Sequence, residues 1–217
     1  MCKVIYRNIF SIVFVLVLII TICGAQVIQF GTCADVETMK YFDVERFQGT
    51  WYEIQRFPTW YEDYGQCAYK TFDYCGREME IGHGFIRDGV EFVLHLNSTY
   101  SPGDEAIFHI AKNNIDPLGI PLSVIKTDYT NYAILYGCRS NEELDIKYIL
   151  AWILSRERTL ESDLLSEAQL ILNSLPSADA AYLQTVEQSE EKCSFHWTAH
   201  VQATYNEDAV DEDNLLY

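Results

Sequence analysis

Between Trp51 and Ser155 the chain alternates bulky apolar and polar residues in short runs. The runs are WYEIQRF (51–57), CAYKTFDYC (67–75), MEIGHGFIR (79–87), VEFVLHLNS (90–98), EAIFHIAK (105–112), LSVIKTDY (122–129), NYAILYGC (131–138) and DIKYILAWILS (145–155). Gly65, Gly76, Asp88-Gly89, Pro102-Gly103, a loop over 113–121 and Thr130-Asn131 separate them, each supplying turn chemistry. Alternation with period two turns one face of each run inward, and eight such runs in succession predict an antiparallel sandwich or barrel rather than alternating βαβ units. A sandwich fills its interior completely. A barrel of eight strands leaves room for side chains or one small ligand.

The period changes once. TLESDLLSEAQLILNSLPS (159–177) sets Leu160, Leu164, Leu165, Ala168, Leu172 and Leu175 on one helical face, and Pro176 ends the pattern. One amphipathic helix packed against the outside of the sheet is expected. At the other end, Lys3 and Arg7 precede the apolar run IFSIVFVLVLIITIC and the small residues Gly24 and Ala25. That layout predicts a secretory signal over 1–25, because the apolar run is shorter than the roughly 20 residues of a membrane span. The barrel domain is expected over 26–195, and an acidic, disordered tail over 196–217 that contains YNEDAVDEDNLLY.

The formal net charge is −17, which repels phosphate backbones and excludes nucleic acid as a natural partner. Asn97-Ser98-Thr99 is a glycosylation acceptor, meaningful for a secreted, extracellular chain. Five cysteines follow the signal: Cys33, Cys67, Cys75, Cys138 and Cys193. Wide spacing and an odd count argue against a zinc module and for two long-range bridges with one thiol left over.

Three separated motifs narrow the choice of fold: Gly49-Thr50-Trp51 entering the first strand, Thr127-Asp128-Tyr129 between the sixth and seventh, and Arg156 after the eighth. Together they resemble the lipocalin family, and within it the subgroup of apolipoprotein D, Lazarillo and the insect bilin-binding proteins. The likeness runs from about residue 30 to 195. It implies an all-β fold: an eight-stranded antiparallel up-and-down β-barrel with one C-terminal α-helix packed outside. It further implies that Gly49, Trp51, Thr127, Asp128, Tyr129 and Arg156 close one end, with the Arg156 guanidinium across the Trp51 indole. Disulfides Cys33–Cys138 and Cys67–Cys193 follow from the same resemblance and leave Cys75 unpaired.

The resemblance also implies a carrier rather than an enzyme, holding a small hydrophobic ligand such as a fatty acid, sterol, retinoid or bilin. No cofactor is required, although a bilin chromophore is compatible. Strand parity with Arg156 turns Trp152 and Tyr148 inward, and Phe72 matches a pocket aromatic of the same relatives. Phe47, Phe108, Ile134 and Tyr136 complete the expected lining as bulky residues in or near strands. No cationic cluster is expected to face inward. His95 is expected outside, and His83 and His109 have no stronger claim on the interior. Alternatives are an isomerase using Cys75 as nucleophile, a haem carrier, a metal site at Cys193, His196 and His200, or a filled barrel that binds a receptor. Parity turns Cys75 outward, where it is available for a disulfide-linked partner.

Overall fold

The computed structural model describes residues 26–60, 65–100 and 106–205, so the signal expected over 1–25 and most of the acidic segment lie outside the described residues. Its strands are β1 (Val27–Phe30), β2 (Gly49–Arg56), β3 (Gln66–Cys75), β4 (Glu78–Arg87), β5 (Val90–Thr99), β6 (Ile107–Ile110), β7 (Leu122–Thr127), β8 (Tyr132–Asn141), β9 (Ile146–Ser155), β10 (Gln184–Thr185) and β11 (Trp197–Gln202). Strands β2 to β9 pair with their neighbours in chain order, all antiparallel. Pairing of β9 with β2 closes them into a ring. The β9–β2 pairing removes the free edges that the first and last of these eight strands would otherwise present.

Two helices serve the barrel. The single turn α1 (Val44–Phe47) precedes β2, capped by the Asp43 carboxylate, which accepts from the Arg46 N–H. Helix α2 (Ser162–Asn173) buries Ala168 and Leu172 against Ile134, Tyr136, Ile149, Ala151 and Ile153 on the outer face of β8 and β9. Those two strands are therefore apolar on both faces. The inner face contributes Ala133, Leu135, Leu150, Trp152 and Leu154 to the barrel core.

Both expected disulfides form. Cys33–Cys138 ties the lead-in to β8, and Cys67–Cys193 ties β3 to the segment before β11. The loops they close span 105 and 126 residues. In the chain-entropy account each lowers the freedom of the unfolded chain by about 4–5 kcal/mol.

The segment over 196–217, expected to be a tail without structure, instead contains β11. It runs parallel to β5, from Trp197 opposite Val90 to Gln202 opposite His95. The reason is a vacancy in the sheet: β6 pairs with β5 only at Ser98–Ile110 and Thr99–His109, leaving the rest of that edge unpaired. Strand β11 occupies it. Thr204 N–H donates to Asn114 Oδ1 at 2.8 Å, fastening the far end to the β6–β7 loop.

Candidate functional site

At one end of the barrel, Gly49 adopts φ +90°, a conformation glycine takes without strain, and brings β2 sharply under the ring. Two residues on, Trp51 is fully buried. The Arg156 guanidinium lies 3.7 Å from its ring centroid. Arg156 also donates to the carbonyls of Tyr129 (3.1 Å), Thr50 (2.9 Å), Arg46 (3.0 Å) and Phe47 (3.2 Å). Burial lowers the Arg156 pKa from its ordinary value.

The β7–β8 turn supports that floor. Asp128 Oδ1 accepts from the N–H groups of Thr130, Asn131 and Tyr132, and Oδ2 accepts from the Asn131 amide. Burial pushes the Asp128 carboxyl up, but these hydrogen bonds outweigh it and hold the group below the usual aspartate range. Thr127 Oγ1 donates to the Tyr132 carbonyl, and Tyr129 accepts the Asp43 N–H on its hydroxyl. All six closure residues thus meet at one end.

Inside, Phe47, Phe72 and Phe108 form a fully buried ring cluster above Trp51, with Phe47–Phe72 centroids 4.9 Å apart and Phe72–Phe108 5.5 Å apart. Trp152 is fully buried in the same core, and Tyr148 packs against it. Ile134 and Tyr136 do not join them. Both face α2 on the outside of β8, and Tyr136 donates its hydroxyl proton to the Pro176 carbonyl at 3.2 Å. This corrects the expected lining: a strand apolar on both faces offers no contrast from which to fix its phase, and the outer face is the one that carries Ile134 and Tyr136.

Above the aromatic cluster lies a feature the sequence reading missed. Glu53, fully buried, receives Arg56 Nη1 on Oε2 and Lys70 Nζ on Oε1, each at 2.9 Å. Lys70 Nζ also lies 3.1 Å from His83 Nδ1 and 4.4 Å from the Trp152 ring centroid. His83 Nδ1 also lies 3.5 Å from Glu53 Oε1, so the carboxylate sits among all three basic side chains. The expectation of an interior without cationic groups, and of His83 without a claim on it, is therefore corrected. Glu53 is two residues from Trp51, Lys70 two from Phe72 and His83 two from Ile81, so alternation places each inside. Arg56 joins them because the register of β2 against β9 shifts between Glu53 and Gln55, re-aiming the strand's last residue inward.

Lys70 and His83 border a cavity of about 20 Å³, which Asp116, Ile81, Ile110 and Leu150 also line. Asp116 turns its oxygens toward the N–H groups of Leu118, Gly119 and Ile120 in its own loop. Burial outweighs those bonds and raises its carboxyl above the ordinary value. Over the mouth, the Trp60 indole N–H of the β2–β3 loop donates to the Ile115 carbonyl of the β6–β7 loop at 3.2 Å.

Outside the barrel, Cys75 is free and exposed at the end of β3, away from the aromatic core. His95 is on the outer side, between Glu80 Oε1 at 2.7 Å and His200 Nδ1 at 2.9 Å. Cys193 is committed to its disulfide, and among the described residues no group of three metal-ligating side chains comes together. Asn97 is exposed on β5.

The model of the lipocalin / cytosolic fatty-acid binding protein family matches residues 48–189. Bilin-binding protein of Pieris brassicae is 25% identical over 184 residues, covering 81% of this chain and 94% of the relative. Apolipoprotein D of Macaca fascicularis is 30% identical over 155 residues, covering 69% and 79%. The solved structure of insecticyanin from the tobacco hornworm Manduca sexta superposes with a TM-score of 0.71 at 25% identity, covering 83% of this chain and 98% of that one.

Proposed function

The chain belongs to the lipocalin family, and on that premise we propose that it is a secreted carrier that takes a small hydrophobic molecule into its barrel without transforming it. The observation that carries this reading is the interior itself: buried Phe47, Phe72, Phe108 and Trp152 lie over a floor sealed by Trp51 and Arg156. Such a wall gains free energy by covering apolar ligand surface, with few polar groups left to set orientation. The relative named as a bilin-binding protein supports a linear tetrapyrrole as one candidate cargo, beside fatty acids, sterols and retinoids. Two disulfides support an oxidising, extracellular address. The exposed Asn97 acceptor is consistent with glycosylation.

Uptake requires side chains to move. A cavity of about 20 Å³ holds roughly one water molecule, whereas small-molecule sites enclose on the order of 300 Å³ or more. The same observation favours a second reading, in which the barrel is a filled scaffold and recognition belongs to its loops.

Native mass spectrometry of the secreted, unreduced protein, followed by organic extraction, separates the two. The carrier reading expects a stoichiometric hydrophobic adduct, released on denaturation and lost in Trp152→Arg. An empty protein whose tryptophans are not quenched by any fatty acid, sterol, retinoid or tetrapyrrole leaves the filled scaffold.

A further inference from the structure

The seam between β5 and β11 carries two imidazoles on its outer side. His95 of β5 and His200 of β11 share one hydrogen bond, Nε2 to Nδ1 at 2.9 Å, with ring centroids 5.2 Å apart. The other ring nitrogen of His95 lies 2.7 Å from Glu80 Oε1 on β4. A hydrogen bond between two ring nitrogens needs one donor and one acceptor, so it holds a single proton whichever ring supplies it. Once both facing nitrogens are protonated, two donors and two like charges meet, and the bond is lost. Histidine is the side chain that takes up such a proton between about pH 5 and 8. The other ionisable groups around the pair are few. Glu80 has Asp73 of β3 opposite it, and Glu91 of β5 accepts from the Tyr69 hydroxyl and from Thr198 Oγ1. His196, just ahead of β11, donates its backbone N–H to the Gly89 carbonyl of the β4–β5 turn at 2.9 Å.

We propose that the His95–His200 pair is a pH-sensitive latch that docks β11 on β5 at neutral pH and releases it in mild acid. The released state binds one more proton than the docked state, so lowering the pH favours release and raising it favours docking. The strand is suited to this. Among the described residues β11 pairs with β5 alone, and four of its six residues are exposed, which places it at the weakly held end of the fold. Cys193, just before it, stays bridged to Cys67, so the released strand remains tethered beside its seam and can return. Release uncovers the backbone of Val90–His95. It also frees Asn114 from Thr204, and with it one anchor of the β6–β7 loop, whose Asp116 borders the cavity.

The test is hydrogen exchange of the full secreted chain with its disulfides intact, followed from about pH 7.5 to about pH 5. Each rate is divided by the intrinsic rate at that pH, so that only protection is compared. Protection over Val90–His95 is expected to fall about tenfold or more across this range, with β8 and β9 unaffected. His200→Gln keeps a hydrogen-bonding side chain that takes up no proton, and should hold protection flat; His95→Gln should do the same from the other side of the bond. His196→Gln alters a ring outside the pair and should leave the fall intact. Flat protection in the wild type overturns the latch. So does a fall that survives in both His200→Gln and His95→Gln, or one that His196→Gln abolishes. A chain ending after Phe195 sets the level without β11. Where a variant matches that level throughout, its strand never docks, and the wild-type and His196→Gln profiles decide.

Discussion

Trp51 and Arg156 share one acceptor. The indole N–H of Trp51 donates to the Phe47 carbonyl at 2.8 Å, and Arg156 Nη2 reaches the same oxygen at 3.2 Å while its guanidinium covers the indole face. The floor is thus one unit in which an aromatic plate, a cation and the end of α1 hold each other. Arg156→Met should keep most of the aliphatic packing but lose the four carbonyl contacts. A loss of about 2–3 kcal/mol in denaturant unfolding is expected. Arg156→Lys should recover less than half of it, since an ammonium cannot reproduce the planar fork; full recovery by lysine would show that charge alone suffices.

The Asp128 turn makes a prediction in pH. Because its folded carboxyl lies below the ordinary value, its contribution to stability is complete above the unfolded aspartate range near about 4. It is lost as pH falls through the lower folded value. Asp128→Ala should therefore be less stable than wild type at neutral pH, and the gap should narrow in strong acid. Thermal unfolding across that range checks it; a gap independent of pH would assign the effect to turn geometry rather than to the ionised carboxylate.

Tyr136 tests the division between inside and outside. Tyr136→Phe deletes its hydroxyl contact with the Pro176 carbonyl, at a cost of about 1 kcal/mol, and should leave ligand titrations unchanged. Phe72→Ala opens the aromatic cluster instead, should cost about 3–5 kcal/mol, and should change ligand affinity. A ligand effect from Tyr136→Phe would contradict the outward placement of that side chain.

Strand β11 covers the β5 edge, so ending the chain after Phe195 should expose the backbone of Val90–His95. Hydrogen exchange there should accelerate markedly, with β8 and β9 unaffected. Unchanged protection would mean that β5 does not depend on its parallel neighbour.

How far the sequence revealed all this depended on contrast between faces. In β9, parity anchored at Arg156 correctly turned Trp152 and Tyr148 inward, because a single closure residue fixed the phase of the whole strand. In β8 the phase was undefined, since Ile134 and Tyr136 are as apolar as Ala133 and Leu135 and α2 covers the outer face. Glu53, Lys70 and His83 obey alternation, but charged side chains are seldom buried, so residue type gives no sign of their placement. Arg56 was beyond any periodic reading, as a register shift in β2 re-aims it. For β11, WTAHVQ gives little local signal, and what orders it is an unpaired edge about a hundred residues earlier in the chain.

That last pairing also sets an order of events during synthesis. On a ribosome, β2 to β9 emerge well before residues 197–202, so the nascent ring carries a raw seam along Val90–His95 until the final stretch arrives. Cys193, which anchors that stretch to Cys67, emerges equally late. Through that interval the exposed backbone is a template for a strand of any neighbouring chain. Oxidation of Cys67–Cys193 delivers the missing strand to its own seam, so a delay in forming that bond should appear as aggregation of newly made chains rather than as a less stable finished protein.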